Sequence, residues 1–400
     1  MINDTITAPQ GFLAAGVRCG IKKSGKPDLG LLVCPQGATA SAVFTTNRIT
    51  SAAVEISRKH IHSRKTFAVV INSGNANACT GQRGLASAVK TCRLCGKALG
   101  VEPGQVLVAS TGIIGEHLPM DKVTSGLGAA VQRLSSSAQA GLDLATAIMT
   151  TDTRPKLAVR RIDLAGVRVT IAGITKGAGM IGPNMATTLC FLTTDAAIRR
   201  PLLDKALKGA IGQSLNRLTV DGHQSTNDTA VILASGQAGN RPITSAGVHY
   251  QRFVSALTQV CDDLARQMAL DAEGATRMFK VLVRGASTRD AAARAARSVA
   301  DYPLVKCAVH GADPNWGRII CAVGSSGVKL NLKRLCCSLD DLMVFKNGAP
   351  CRFDAKRASR IILKPCHTIT VDLGVGQASD FCYGVDLGKE YVTINADYHT

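Results

Sequence analysis

Short apolar runs bounded by Gly, Pro, Asn or Ser alternate along this chain with longer stretches whose apolar residues recur every three or four positions. That alternation of a two-residue and a 3.6-residue period most constrains the fold, because it requires sheets covered by helices and implies an α/β class. Runs at 31–34, 42–45, 67–71 and 106–109 read as strands, and 85–99 and 121–149 as helices, the second broken near Ser135 to Ser137. Strands follow at 167–172, 189–193 and 230–234, with a helix over 201–218 that opens on proline, where the first turn needs no N–H. The Gly- and Pro-containing stretch 236–247 sets an expected boundary between domains 1–240 and 241–400. Beyond it come a long helix at 248–270, a helix at 287–299, and short runs read as strands at 279–283, 319–323, 361–363, 368–371 and 392–395.

Composition narrows the function. With 400 residues, 46% hydrophobic and 19% charged, the chain can bury one large or two ordinary cores. Its net charge of +19 is spread along the sequence, and fifteen aromatics (nine Phe, five Tyr, one Trp) are few for base stacking, so no nucleic-acid partner is expected. Fourteen cysteines from Cys19 to Cys382 lack the dense spacing of a disulfide scaffold and read as small buried hydrophobes. One CxxC, Cys92 to Cys95, has no second pair to complete a zinc site, and the eight histidines show no HExxH; no metal is expected. The first ten residues lack a signal-peptide pattern and no apolar run reaches spanning length, so the expectation is a cytoplasmic protein with no membrane partner.

Two glycine motifs fail on their surroundings. Gly20 to Lys26 fits GxxxxGK, but Pro27 stands where a Ser or Thr would reach magnesium. Gly177, Gly179 and Gly182 spell GxGxxG, yet the following 189–194 is short, apolar and Thr-rich, a strand and not the helix that would receive a pyrophosphate. The same glycines allow another reading: a strained approach to Ala186-Thr187 in which the Thr hydroxyl attacks its own preceding carbonyl. The acyl group shifts from nitrogen to oxygen, and water hydrolyses the ester. The freed threonine then carries nucleophile and base together, because its new α-amine, with a reference pKa of about 7.7–8.0, can take the hydroxyl proton.

The run 176–189, KGAGMIGPNMATTL, resembles the self-processing signature of the ornithine acetyltransferase family, the bifunctional ArgJ proteins. Further segments resemble that family in order along the chain: GF at 11–12 with AAGV at 14–17, FTTN at 44–47, NSGNANA at 72–78, STGIIG at 110–115, TTDT at 150–153, STNDT at 225–229, EGAT at 273–276, DPNWGR at 313–318 and INADY at 394–398. After Val220-Asp221-Gly222 the chain departs from the pattern, with His223-Gln224 where a small acidic or hydroxyl pair is expected.

The resemblance implies a layered α-β-β-α sandwich with a smaller α/β C-terminal domain, cut between Ala186 and Thr187 into chains 1–186 and 187–400 that stay together and pair into a heterotetramer. It implies that Thr187 takes acetyl from N2-acetylornithine, releasing ornithine, and passes it to glutamate as N-acetylglutamate. Thr111 and Gly112 would form the oxyanion hole. Thr153, Lys176, Thr187, Glu273, Asn395 and the C-terminal Thr400 would contact substrate. No cofactor is implied; acetyl-CoA stays open as a co-substrate. The alternative is a self-processing aminopeptidase or amidase that uses water as acceptor.

Overall fold

The computed structural model describes residues 4–182 and 188–397. The described elements run β1 (Leu13–Val17), β2 (Leu29–Phe44), α1 (Ala52–His60), β3 (Thr66–Asn75), α2 (Gly81–Leu99), β4 (Val106–Ile113), α3 (Met120–Gln132), α4 (Ala138–Ala147), β5 (Lys156–Leu164), β6 (Val167–Lys176), β7 (Leu189–Thr194), α5 (Arg200–Gln213), β8 (Thr229–Ala234) and α6 (Val248–Ala269). There follow β9 (Met278–Ala286), α7 (Arg289–Asp301), α8 (Pro303–His310), α9 (Trp316–Gly324), β10 (Cys336–Leu339), β11 (Leu342–Lys346), β12 (Ala349–Pro350), α10 (Ala355–Ile362), β13 (Cys366–Asp372), β14 (Ala378–Val385) and α11 (Lys389–Asp397).

Strands β1 to β8 bond in the order β4-β3-β2-β8-β7-β6-β5, with β1 also on β2. The two runs read as separate strands at 31–34 and 42–45 are one strand, β2, that serves two leaves. Its residues 29–33 pair with β1 and β3, and 39–44 pair with β8. Between them Pro35 and Gln36 are exposed; Pro35 has no N–H for a ladder, so pairing lapses there and the strand crosses over.

Period-2 alternation fixes what lies between the leaves. Leu32, Val69, Ile71 and Leu107 from one leaf share a core with Ile174, Phe191, Val231 and Leu233 from the other. The alternate residues Leu31, Val33, Val70 and Val108 pack outward against α1, α2 and α3, while Ile171, Leu192 and Ile232 pack against α5 and α6. Both faces of each leaf are therefore apolar, and the layers run helix, sheet, sheet, helix. A second sheet, β12-β11-β10-β13-β9-β14, builds its own core with α7 to α10 around Phe279, Val281 and Val371.

Three expected strands are helical. Residues 319–323 lie in α9, whose start is capped by the Asn315 side chain accepting from Arg318 N, and which buries one face through Ile319, Ala322 and Val323. Residues 361–363 close α10, capped by Asp354 accepting from Arg357 N. Residues 392–395 lie in α11, which has no buried residue. The expected boundary at 240/241 also moves. Helix α6 shares the core of α5 and the second leaf, so 236–247 is a loop within the sandwich and the chain passes to the smaller sheet only between Ala269 and Met278. No described helix is long and apolar enough to cross a membrane.

Candidate active site

The site forms where β4 and β6 end, at one edge of the space between the leaves. Strands β3 and β4 run parallel with Ser73 opposite Thr111 and Gly74 opposite Gly112. A Cβ on Gly112 would lie 2.3 Å from the Gly74 carbonyl carbon, and φ there is +131°, so only glycine lets the two backbones approach this closely. On the other leaf, alternation puts Lys176 on the same inner face as Ile174, and its Nζ reaches Thr111 Oγ1 at 3.3 Å. A cavity of about 180 Å³ opens beside this contact. Thr111, Gly112, Lys176, Glu273 and Asn395 line it, with Thr150, Thr151, Thr188, Ser225 and Asp228.

The charges around Lys176 are organised by burial. Lys156, fully buried, pairs with Asp152 at 2.5 Å and Asp271 at 2.6 Å, and Asp152 also accepts from Gly177 N at 2.7 Å. Burial would raise the Asp152 carboxyl, but Lys176 and Lys156 outweigh it and hold the group down at about 2. Burial pulls the Lys176 ammonium below the ordinary lysine value, against the attraction of Asp152, Asp228 and Glu273. Burial also pushes the Asp228 carboxyl well above the usual carboxylate range, with Ser225 and Lys176 opposing.

Backbone anchors hold the glycine-rich approach in place. The Asp221 carboxylate accepts from Met180 N at 2.7 Å and Ile181 N at 2.9 Å, and Tyr391 OH donates to it at 3.2 Å. Glu273 N donates to Ala178 O at 3.0 Å, and Asn395 Nδ2 donates to Glu273 Oε2 at 2.9 Å. Helix α11 reaches the cavity because Gly274, at φ +66°, offers no Cβ: one there would stand 2.4 Å from Tyr391 N. Asn227 ties the leaves together, donating from Nδ2 to Ala76 O at 2.7 Å and Ser110 O at 2.8 Å. The asparagines of 72–78 serve turns: Asn72 Nδ2 donates to Asn75 O, and Asn77 Nδ2 to Gly84 O.

The fold thus gathers Thr111, Gly112, Lys176, Glu273 and Asn395 on one wall, from β4, β6, the turn after α6 and α11. Thr153 is not on the described wall: it is exposed, and its N–H and hydroxyl both engage Asp271, leaving Thr150 and Thr151 to face the cavity. Ala186, Thr187 and Thr400 lie outside the described residues; the neighbouring Thr188 lines the cavity. His223 is exposed and Gln224 bonds to Thr46 Oγ1, so neither departure from the family pattern lines the cavity. His310 bonds to Asp386 at 2.8 Å, and that carboxylate also accepts from Thr276 and Arg277, a structural knot. Asp152, Asp221 and Asp228 escaped the sequence reading as site residues. Each sits in a short polar segment with no periodicity to mark it, and the sole signal was an acidic residue inside a Thr- or Gly-rich motif.

Residues 13–400 match the ArgJ family. The arginine biosynthesis bifunctional protein ArgJ of Symbiobacterium thermophilum is 45% identical over 397 residues, 99% of this chain and 98% of its own. That of Geobacillus stearothermophilus is 42% identical over 99% of this chain and 96% of its own. The crystal structure of arginine biosynthesis bifunctional protein argJ from Bacillus halodurans is 39% identical with a TM-score of 0.51, over 52% of this chain and 98% of that one. A family match over residues 13–400, with relatives 45% and 42% identical across 99% of this chain, has one meaning: the chain belongs to the ArgJ family of arginine-biosynthesis enzymes.

Proposed function

We propose that this chain cuts itself between Ala186 and Thr187 and then moves acetyl from N2-acetylornithine to glutamate through an acetyl-Thr187 intermediate. The observation that carries the reading is the cavity's pairing of opposite charges around an oxyanion corner. Lys176 and Glu273 face one space, with Thr111 and Gly112 beside Lys176. A substrate bearing both carboxylate and ammonium is held by such a pair, which leaves its amide carbonyl to Thr111 and Gly112. Thr188 on the same wall puts the proposed nucleophile one residue away.

Attack of the Thr187 hydroxyl forms a tetrahedral oxyanion, stabilised by donors from Thr111 and Gly112. The α-amine released by the cut takes the hydroxyl proton and returns it to the departing ornithine nitrogen. Glutamate then reverses the sequence, its amine attacking the acetyl ester. The Bacillus halodurans chain is matched over 98% of its length by 52% of this one, about 208 of 400 residues, which is near the length of the proposed product 187–400. Both products contribute strands to one sheet, and we assign the working unit as two such pairs. All fourteen cysteines are free thiols, which fits a reducing cytoplasm.

The test is acceptor choice. Purified protein given N2-acetylornithine should release ornithine fast only when glutamate is present, with N-acetylglutamate formed in equal amount; acetyl-CoA in place of acetylornithine reads the second donor. Release of ornithine and free acetate at a rate indifferent to glutamate would identify a hydrolase instead.

A further inference from the structure

The segment 20–26, whose GxxxxGK pattern lacks the hydroxyl of a nucleotide loop, has no part in the reaction proposed above. It nevertheless packs on the strands that carry the oxyanion corner. Gly74 stands at φ +95°, and a Cβ there would lie 2.9 Å from Lys22 Cγ; Gly112 in turn sets its bare face on Gly74. Asp28 fixes the loop, accepting from Cys19 N at 2.6 Å and Lys22 N at 3.0 Å. Lys22 is half-buried, and its Nζ donates to Pro27 O at 2.6 Å. No carboxylate pairs with it among the described residues, which leaves two of its three N–H donors for a ligand. Burial pulls the ammonium down to about 8, with Asp28 opposing, and the group also lies in the field of Lys176 and Asp152, so it is charged at neutral pH. Arg18, Lys23 and Lys26 stand exposed on the same loop, and Lys122, also exposed, donates to Gly20 O at 2.6 Å.

The two substrates of the proposed exchange put opposite charges at the ends of side chains of similar length. Acetylornithine ends in an ammonium, which Glu273 can take. Glutamate ends in a carboxylate, which Glu273 repels. The charged residues on the described cavity wall are Lys176, Asp228 and Glu273, a single cation for the two carboxylates of glutamate. Lys156 is not available, being locked between Asp152 and Asp271. Lys22 is a cation beside this wall with no carboxylate of its own. We propose that Lys22 is a specificity-determining residue for the acceptor: its ammonium takes the side-chain carboxylate of glutamate while Lys176 holds the α-carboxylate. The exposed cations of the loop favour the approach of an anion. The proposal rests on the acetyl-transfer reading above.

Acceptor competition tests this. Glutamate and glutamine share a shape and differ in side-chain charge, so the ratio of their kcat/KM values reads the contact. In Lys22→Met that ratio should fall at least ~10-fold, the worth of a hydrogen bond between charged groups, through a rise in KM for glutamate and not a fall in kcat. Lys22→Arg keeps the charge and should recover part of the preference. A site that is merely distorted slows both acceptors together, so an unmoved ratio in Lys22→Met would overturn the proposal. If the variants fail to fold, the structure of wild-type protein with N-acetylglutamate decides: a side-chain carboxylate oxygen within about 3.2 Å of Lys22 Nζ is expected, and a carboxylate beyond hydrogen-bond reach of Lys22 overturns it. A wild type with no glutamate-dependent transfer defeats the acetyl-transfer reading and this proposal with it. A transferring wild type whose Lys22→Met variant keeps the preference defeats this proposal alone.

Discussion

Thr111 carries the sharpest residue-scale expectation. Its hydroxyl sits 3.3 Å from Lys176 Nζ on the cavity wall, so Thr111→Val removes a proposed oxyanion donor while keeping the shape of a β-branched side chain. Turnover should drop roughly 10²- to 10³-fold with KM nearly unchanged, read from steady-state kinetics; a change confined to KM would assign Thr111 to ground-state binding instead. Far from the site, His367 is 2% exposed, stacks on Phe279 at 6.0 Å between ring centres, and has both ring nitrogens without partners among the described residues. Burial lowers it to about 4. An unfolded histidine titrates near ~6.5, so as pH falls below that the unfolded chain binds the proton first and the fold loses stability until pH passes below about 4. His367→Phe should therefore lose about 2 kcal/mol less than wild type between pH 7 and pH 5 in urea denaturation; equal losses would show that the imidazole is not held neutral. At this scale the sequence was legible where chemistry demands a residue type in a recognisable string, as with Lys176 and Glu273. It was not legible for Thr153, because the neighbouring Thr150 and Thr151 are the same residue type and only packing against Asp271 decides which threonine faces the cavity.

At the scale of elements, the turn Asp152 to Lys156 and the end of α6 are locked by one buried cation between two carboxylates. Truncating the cation leaves both acids without it, so Lys156→Met should cost about 3–5 kcal/mol, the range for breaking a buried pair. Chemical denaturation measures this directly, and a cost within ~0.5 kcal/mol would mean that the carboxylates find other partners. Such a triad leaves little trace in sequence, since Asp271 stands 115 residues from Lys156. Strands β2, β3, β4, β6, β7 and β8 were legible because their apolar runs are bounded by turn residues and nearly every position is buried on one face or the other, whereas β1 and the half-exposed, charged β5 were not read. The runs at 319–323 and 361–363 look the same in isolation. Their helical state is set upstream by Asn315 and Asp354 at the caps, and by burial at three- and four-residue spacing that a five-residue window cannot show. The boundary erred for a related reason: 236–247 has the composition of a linker, but α6 beyond it still buries Phe253, Leu257, Val260 and Leu264 against the second leaf.

The whole molecule connects the proposed cut to the cavity wall. Strands β6 and β7, on either side of the glycine-rich approach, are antiparallel partners from Ile171 opposite Thr194 to Lys176 opposite Leu189. Strand β2 also pairs with β8 across the same divide, and the core between the leaves draws on both halves. Severing one peptide bond there would remove no strand from the sheet, so the two proposed chains would remain one folded body. The α/β class was readable from the alternation of periods, and the layered order only from the family resemblance; the folding of one sheet over itself at Pro35 was not readable, because a single proline in an apolar run also fits two separate strands. The most direct test is the intact mass of freshly purified protein under denaturing conditions, for wild type and Thr187→Ala side by side. Two chains are predicted for wild type, one ending at Ala186 and one beginning at Thr187, eluting together before denaturation, against a single uncut chain for the variant. A wild type that stays whole while transferring acetyl to glutamate, or a variant cut at the same bond, would contradict the account.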